Sequence, residues 1–327
     1  MKKLLSSILA VAALAGIQAF AQEEDSPSLL AQLREDTKCS LIPSSIKLSF
    51  DYKSRYLSDG RVINPQNMLF GSVDLAWDFA TDGIYVGIWG ANDLNRYNHG
   101  DRIEYEPEEF DYYIGYWYEF GGLGEYTGDA IKSICLDVSY TYWDYPSRCG
   151  WEGIGEQQNT FTIDVSAGLG VEAIAVKPGF KVNWDPENEK IYGNLYVSLG
   201  KDFEDAKWLS VGTRFDLFWG NGNYVKKAFG STEFFGANDT RHRLYVDKGY
   251  DDIDKETFTT FIWTVSADFT PFADSDIKGL QSFTIGPFAQ LVWALDHECR
   301  ESWKTTKTDN SKSGLNTCYG ISASYKF

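Results

Sequence analysis

The chain has 327 residues, a formal net charge of −17 and an aromatic content of 16%. So acidic a chain, with no visible basic stripe, is repelled by a polyanion, and we expect no nucleic-acid partner. The length allows one large β domain or two ordinary ones. The mean hydropathy of −0.33 suits a soluble protein and a transmembrane barrel equally, because only alternate strand residues of a barrel face lipid.

The N-terminus has the three parts of a secretory signal peptide. Basic residues 1–3 precede an apolar run over residues 4–17, and Ala19-Phe20-Ala21 is a small-x-small cleavage site. A membrane anchor is the weaker interpretation, since a spanning helix needs ~20 apolar residues. We therefore expect residues 1–21 to be removed. Residues 22–44 then form a polar periplasmic lead-in, either a short capped helix or a disordered spacer.

Alternating apolar and polar residues recur along the rest of the chain. In the first such stretch Ile46, Leu48 and Phe50 share one face of a strand, whereas Lys47 lies on the other. Comparable stretches follow near residues 69–77, 84–88, 110–118, 134–142, 161–169, 180–184, 191–199, 209–217, 261–269, 283–293 and 319–327. They predict about twelve strands, an even number as in single-chain bacterial barrels. Pro178 and Pro287 weaken two of the strands, because proline cannot donate to a ladder.

The connections alternate in length. Mostly long ones, near residues 54–66, 91–109, 144–158, 220–256 and 295–314, fall on one side, and shorter ones, near 80–83, 170–175, 200–207 and 271–279, fall on the other, with 119–129 the exception. The stretch Ala80-Thr81-Asp82-Gly83 predicts a tight turn, because Asp-Gly is a strong hairpin signal. A soluble sandwich has no reason to alternate in this way. The sequence therefore predicts an all-β transmembrane antiparallel barrel over residues 45–327, with long extracellular loops and short periplasmic turns.

The last stretch alternates from Tyr319 and stops on Phe327. A strand that ends the chain on an aromatic residue resembles the closing strand of bacterial outer-membrane barrels. The resemblance implies that the barrel-assembly machinery recognises this strand. We expect the protein in the bacterial outer membrane, with outer-membrane lipid, that machinery and small solutes as partners.

Four segments of the first half of the barrel carry a family resemblance. They are Ser54-Arg55-Tyr56 with Gly60 and Pro65, residues 83–90 (Gly-Ile-Tyr-Val-Gly-Ile-Trp-Gly), residues 109–116 (Glu-Phe-Asp-Tyr-Tyr-Ile-Gly-Tyr) and residues 142–146 (Tyr-Trp-Asp-Tyr-Pro). These segments, within Ser54 to Ser147, resemble the TorF family of bacterial porins, known also by the Gcw signature. Where that family carries Arg-Gly, this chain has Ser58-Asp59-Gly60-Arg61. The resemblance implies a porin-like barrel and leaves the solute undefined.

Polar residues on the predicted inner face are candidates for a pore lining. They comprise the acidic Asp51, Asp74, Asp78, Asp111, Asp137, Asp164 and Asp216, the basic Lys47, Lys181 and Arg214, and the aromatic Tyr113 and Trp117. Because acid outnumbers base, the pattern favours a weakly cation-selective pore for passive diffusion of small solutes or ions. The same groups could instead pair and fill a narrow lumen. The alternative function is a closed structural or adhesive barrel that binds a partner through its outer loops; a soluble periplasmic binding protein is a further rival.

Five cysteines in an exported chain allow up to two disulfides. Cys299 and Cys318 flank the last hairpin loop and are the pair we expect, with Cys39 as the odd thiol and Cys135 and Cys149 undecided.

Neither a metal-ligand spacing nor a catalytic constellation is visible. The three histidines, His99, His242 and His297, have no companion nucleophile or Gly-rich motif, so we expect no metal, no cofactor and no enzymatic activity. The acidic run over residues 251–254 could bind calcium, but it lacks the EF-hand spacing and a solvated loop explains it as well.

Overall fold

A computed structural model describes residues 42–64, 67–94, 109–144, 158–229, 255–275, 278–300 and 314–327. Within these ranges twelve strands close into one antiparallel barrel, which confirms the predicted fold, and two further strands pair as a separate hairpin. The barrel strands are β1 (Ser45–Lys53), β4 (Met68–Asp78), β5 (Asp82–Asp93), β6 (Glu109–Phe120), β7 (Ile131–Asp144), β8 (Gln158–Leu169), β9 (Ala175–Asp185), β10 (Lys190–Phe203), β11 (Ala206–Gly220), β12 (Thr257–Phe269), β13 (Thr284–Ala294) and β14 (Leu315–Lys326), and the hairpin strands are β2 (Tyr56–Ser58) and β3 (Arg61–Asn64).

Each barrel strand pairs with its neighbours along the chain, and the two ends of the chain close the ring. Leu48 of β1 pairs with Val73 of β4 on one side and with Tyr325 of β14 on the other. Beyond β14, the backbone amide of Phe327 donates to the carbonyl of Ile46 at 2.9 Å. The terminal aromatic strand therefore completes the barrel and leaves no open edge.

The barrel has a short-turn end and a long-loop end. Residues 79–81, 121–130, 170–174, 204–205 and 270–283 join strands at the short-turn end, and residues 54–67, 94–108, 145–157, 186–189, 221–256 and 295–314 join them at the long-loop end. Helices α1 (Gly124–Thr127) and α3 (Lys278–Gln281) lie at the former and α2 (Gly222–Phe229) at the latter. Among the described residues, no helix is long and apolar enough to cross a membrane.

The two faces of the barrel wall differ in polarity. Apolar side chains such as Phe50, Ile114, Leu195 and Ile321 point outward, and each stays at least 43% exposed because nothing in the chain covers it. The alternate positions carry carboxylates, amides, hydroxyls and glycines and face the lumen. This wall is the two-sided structure that the period-2 pattern predicts.

The predicted tight turn is formed, but it lies earlier in the chain than the sequence predicts. The tight turn lies at residues 79–81, where Ala80 takes the positive φ of 71°, and Asp82 already starts β5 with Gly83 paired to Asp78. Both predicted strands that contain a proline are formed, with Pro178 inside β9 and Pro287 inside β13. Pro178 pairs with Val197 of β10 and Pro287 pairs with Ile321 of β14. On the other side of each strand, toward β8 and β12 respectively, the pairing is interrupted at the proline. The wall thus accommodates each missing N–H where the ladder is open.

The expected disulfide between Cys299 and Cys318 is not formed; both residues are buried free thiols. Cys318 points inward from β14 and its sulfur lies 3.5 Å from the carbonyl oxygen of Arg55. Cys299 packs in a separate apolar cluster with Val292 and Ala294. Flanking the same loop did not bring the two sulfurs together, because each thiol is held by a different neighbour. Cys39 and Cys149 lie outside the described residues.

Candidate functional site in the barrel lumen

The strand register places the predicted lining residues on the lumen side of the wall. Asp137 lies between Trp117 and Asp164, Asp164 pairs with Lys181, and Asp216 pairs with Tyr196. Lys47 and Asp74 pair across β1 and β4, while Asp51, Asp78, Asp111, Tyr113 and Arg214 occupy the same inward parity on their strands. They form a band around much of the lumen rather than one ring. Their role in conduction stays a prediction.

Three tyrosines hold three of these carboxylates in place. The Tyr85 hydroxyl donates to Asp137 at 2.8 Å, and the Tyr196 hydroxyl donates to Asp164 at 2.6 Å. The Tyr113 hydroxyl donates to Asp74, which also accepts from the Ser72 hydroxyl at 3.2 Å. A phenol that donates to an ionised carboxylate stabilises the charge and restricts the carboxylate to one position.

Each of these tyrosines lies over a glycine of the neighbouring strand. Tyr85 pairs with Gly115, Tyr113 with Gly87 and Tyr196 with Gly179. A Cβ built on any of the three glycines would stand within 2.8 Å of the opposing tyrosine ring. The glycines therefore let the rings lie flat against the wall, so that each hydroxyl reaches a carboxylate on the strand beyond.

A cation joins the band next to the third of these units. The Arg214 guanidinium lies 3.9 Å above the ring of Tyr196 and 2.9 Å from the carboxylate of Asp216. Asn194 donates to the same carboxylate at 2.6 Å. Arg214 nevertheless keeps 41% of its side-chain area exposed, so its charge is held in position while it still faces the lumen.

Like charges lie side by side in the middle of the band. Asp137 and Asp164 are directly opposite on β7 and β8, an arrangement that is unfavourable for two carboxylates without partners. The phenols of Tyr85 and Tyr196 and the paired Lys181 offset part of this repulsion. The lumen wall thus carries fixed negative charge over β7 and β8.

The small hairpin β2–β3 crosses the lumen at the long-loop end. Tyr56, 5% exposed, packs against Phe70 and Trp89 on the inner face of β4 and β5, with ring centroids 5.2 and 5.8 Å away. The turn of the hairpin reaches β11 and β12, where a Cβ on Gly60 would stand 2.6 Å from Phe218. The wall formed by β4 and β5 and the wall formed by β11 and β12 lie far apart in the barrel. Strands β1, β14 and β13 separate them on one side, and strands β6 to β10 separate them on the other. The hairpin therefore spans most of the bore.

Helix α2 covers the other part of this mouth. Tyr224 stacks on Tyr192 of β10 with centroids 4.5 Å apart, and its hydroxyl donates to the carbonyl of Asp59 in the hairpin. Val225 and Phe229 are buried with Val292 of β13 in one apolar cluster. The long-loop end of the lumen is thus narrowed by a packed hairpin and helix.

Sequence reasoning did not find the inward glycines, the hairpin or α2. Glycine at a polar-face position of a strand was the available signal for the tyrosine contacts, because Gly87, Gly115 and Gly179 interrupt the hydrophilic alternation there. Several residues singled out in the sequence lie outside the described part of the chain, among them His99, His242 and the acidic run 251–254. The interpretation of that run as a calcium site stays a prediction.

A closed antiparallel barrel with an apolar outer face and a polar lumen has the architecture of a transmembrane outer-membrane barrel. Neither a protein-family profile nor a curated protein matches the sequence, and the TorF resemblance stays a prediction.

Among solved structures, an outer-membrane channel from Pseudomonas putida F1 superposes with a TM-score of 0.48 at 9% identity, over 87% of this chain and 96% of the other. LpxR from Salmonella typhimurium superposes with a TM-score of 0.45 at 8% identity, over 86% of this chain and 99% of the other. The KdgM porin in complex with disordered oligogalacturonate superposes with a TM-score of 0.42 at 8% identity, over 86% of this chain and 99% of the other. At such low identity and superposition, these similarities carry no conclusion about the function of this chain.

Proposed function

We propose that the protein is an outer-membrane channel for passive diffusion of small solutes or ions, with weak cation selectivity. The observation that carries the proposal is the band of inward carboxylates on β4, β7 and β8, each held by a tyrosine. Fixed negative charge in a narrow aqueous pore raises the local concentration of cations and lowers that of anions. Arg214 and Lys181 keep the preference weak.

The apolar outer face supports the membrane location. Outward Ile114, Leu195 and Ile321 are between 43% and 49% exposed, and the band they belong to continues around a closed ring of strands. A surface of this kind in water would be an aggregation liability, whereas in hydrocarbon it has the environment it needs.

Reversal potential in a salt gradient, measured on the refolded protein in a planar bilayer, tests the proposal. We expect single-channel steps with a cation-biased reversal potential in the wild type. The double variant Asp137→Asn with Asp164→Asn removes the paired carboxylates and should move the reversal potential toward zero. Asp205→Asn is the control, because it makes the same Asp-to-Asn change once, in an exposed turn at the short-turn end. It should leave the reversal potential unchanged. An unchanged reversal potential in the double variant would contradict the selectivity assigned to this band.

A second candidate function is a closed barrel that presents its long loops to a partner. The packed mouth favours it, since Tyr56, Tyr224, Val225 and Phe229 are all at most 5% exposed. Conductance separates the two candidates. Membrane-inserted wild-type protein without conductance, together with steps after the hairpin 56–64 is replaced by a short flexible linker, would favour the closed barrel.

A further inference from the structure

An apolar groove on the outer face lies at the long-loop rim and has a cation at its edge. It is about 470 Å³ in volume and is lined by Phe261, Trp293, Ala294, Leu295 and Arg300. Phe261 and Trp293 are paired on β12 and β13, with ring centroids 5.6 Å apart, and both point outward. Leu295 follows directly after β13 and is 41% exposed. The groove thus begins in the apolar band and ends where the polar loops start.

Arg300 is fixed beside this groove. Its guanidinium donates to the carbonyl of Leu295 at 3.1 Å, and its aliphatic stem lies over Gly314, where a Cβ would stand 3.0 Å from the arginine Cδ. Held at both points, the guanidinium keeps donors that the Leu295 carbonyl does not use.

Two described acidic residues close to Arg300 in the chain are paired with another cation. Lys255 forms ion pairs with Asp296 at 2.9 Å and with Glu298 at 2.8 Å. Among the described residues, by contrast, Arg300 forms no ion pair. In a chain with a net charge of −17, an arginine that forms no ion pair within the described ranges and lies next to an outward apolar groove is suited to bind an external anion.

We propose that this groove binds an anionic, phosphate-bearing lipid of the leaflet on the long-loop side, with the headgroup on Arg300 and an acyl chain along Phe261, Trp293 and Leu295. The inference rests on the membrane location in the proposed function and adds a specific ligand class to it. Guanidinium and phosphate make bidentate hydrogen bonds. The aromatic pair lies toward the long-loop ends of β12 and β13, and aromatic rings in membrane proteins favour the headgroup boundary. The groove therefore matches both halves of such a lipid.

Native mass spectrometry of the barrel released from mixed micelles tests the site. The probes are phosphatidylglycerol and phosphatidylcholine with identical acyl chains, and lipid A in a second series. We expect the wild type to retain the anionic lipids preferentially. Arg300→Gln should lower that preference about fivefold, the effect of one basic residue near an anionic headgroup. Arg300→Lys should restore most of it.

Lys132→Gln is the matched control, since it removes one exposed cation at the short-turn end. An equal loss in Lys132→Gln and Arg300→Gln, or no loss in Arg300→Gln, would overturn the lipid site. Leu295→Asn, which shortens the apolar groove and keeps the cation, should weaken retention of both phospholipids. Heat-modifiable mobility on gels confirms that each variant folds.

Conductance recorded on the same preparations separates this inference from the channel function. Loss of the lipid preference with unchanged single-channel steps supports the lipid site alone. A wild type that retains anionic lipid but never conducts supports the site and contradicts the channel. A wild type that conducts without any lipid preference contradicts the site and leaves the channel standing.

Discussion

Tyr85 and Gly115 are cross-strand partners, and the phenol ring of Tyr85 occupies the space in which a side chain at residue 115 would stand. The contact directs the Tyr85 hydroxyl past β6 to Asp137 on β7. Two further pairs, Tyr113 with Gly87 and Tyr196 with Gly179, repeat the arrangement. In each pair the glycine decides where a carboxylate of the lumen is held.

Gly115→Ala should destabilise the barrel. The new methyl group forces Tyr85 off the wall and away from Asp137, an overpacking change that costs about 1–3 kcal/mol. Gly121→Ala is the control, because a Cβ there meets nothing within 4 Å. Urea unfolding of the barrel in detergent can be monitored by its heat-modifiable gel mobility. The urea midpoint should fall for Gly115→Ala and should not change for Gly121→Ala. Equal midpoints in the two variants would refute the packing role of Gly115.

Tyr196→Phe should free the Asp164 carboxylate while keeping the ring. The phenyl ring still covers Gly179 and still supports the Arg214 guanidinium, so only the hydrogen bond at 2.6 Å is lost. Such a bond to a charged acceptor contributes about 1.5 kcal/mol. We expect a lower urea midpoint, and in bilayers more current noise because the carboxylate samples more positions. Tyr319→Phe, on the outer face and 61% exposed, should behave like the wild type in both measurements.

The ion pairs of Lys255 predict a stability that depends on pH. Burial would raise the pKa of Asp296, but hydrogen bonds from Lys255 and from the Cys299 backbone amide outweigh it, and the pKa lies below its ordinary value. This contribution is present above the unfolded pKa of the carboxyl group and is lost as pH falls through the folded one. Burial would lower the pKa of Lys255, yet Glu298 and Asp296 raise it. Its share is therefore present below the unfolded lysine pKa and is lost as pH rises through the folded one.

Two substitutions at Asp296 separate its roles. The carboxylate also accepts from the backbone amides of Glu298 at 2.9 Å and Cys299 at 3.2 Å, and so caps the helical turn at residues 297–300. Asp296→Asn keeps a capping oxygen, so at neutral pH it loses only the ion pair, less than about 1 kcal/mol because Lys255 is 38% exposed. Asp296→Ala should lose about 1 kcal/mol more. Denaturant midpoints at neutral and acidic pH measure both, and wild type and Asp296→Asn should converge in acid.

Strand positions could be predicted from this sequence, from Ile46 to Phe327. A wall with one apolar and one polar face requires apolar and polar residues to alternate along each strand. The mouth could not be predicted in this way. Tyr56 and Tyr224 lie in the short elements β2 and α2, within connections that lack the period-2 pattern of the wall. Their contacts with Phe70 and Tyr192 bury them. Proximity in sequence was also a poor guide to the Cys299 and Cys318 thiols, since one belongs to the wall and the other to a helical turn.

The inward parity of the carboxylates followed from the same alternation. Their partners did not, because a tyrosine that crosses a whole strand to reach Asp137 or Asp164 depends on register between strands. Register is set by all the pairings of the closed ring together, and a single stretch of sequence does not contain it.

Gly60→Ala should widen the channel. Gly60 has a φ of +80°, and its missing side chain lets the hairpin turn touch Phe218 and Thr260 on the far wall of the lumen. A methyl group there must push the turn away from β11 and β12, so we expect larger single-channel conductance than in the wild type. Gly128→Ala is the matched control. Gly128 also has a positive φ, 61°, and it lies at the end of α1 with nothing within 4 Å of a Cβ, so it carries the backbone cost without any contact in the lumen. If both variants conduct like the wild type, the hairpin does not limit the current, and the narrowest part of the pore must lie in the carboxylate band below it.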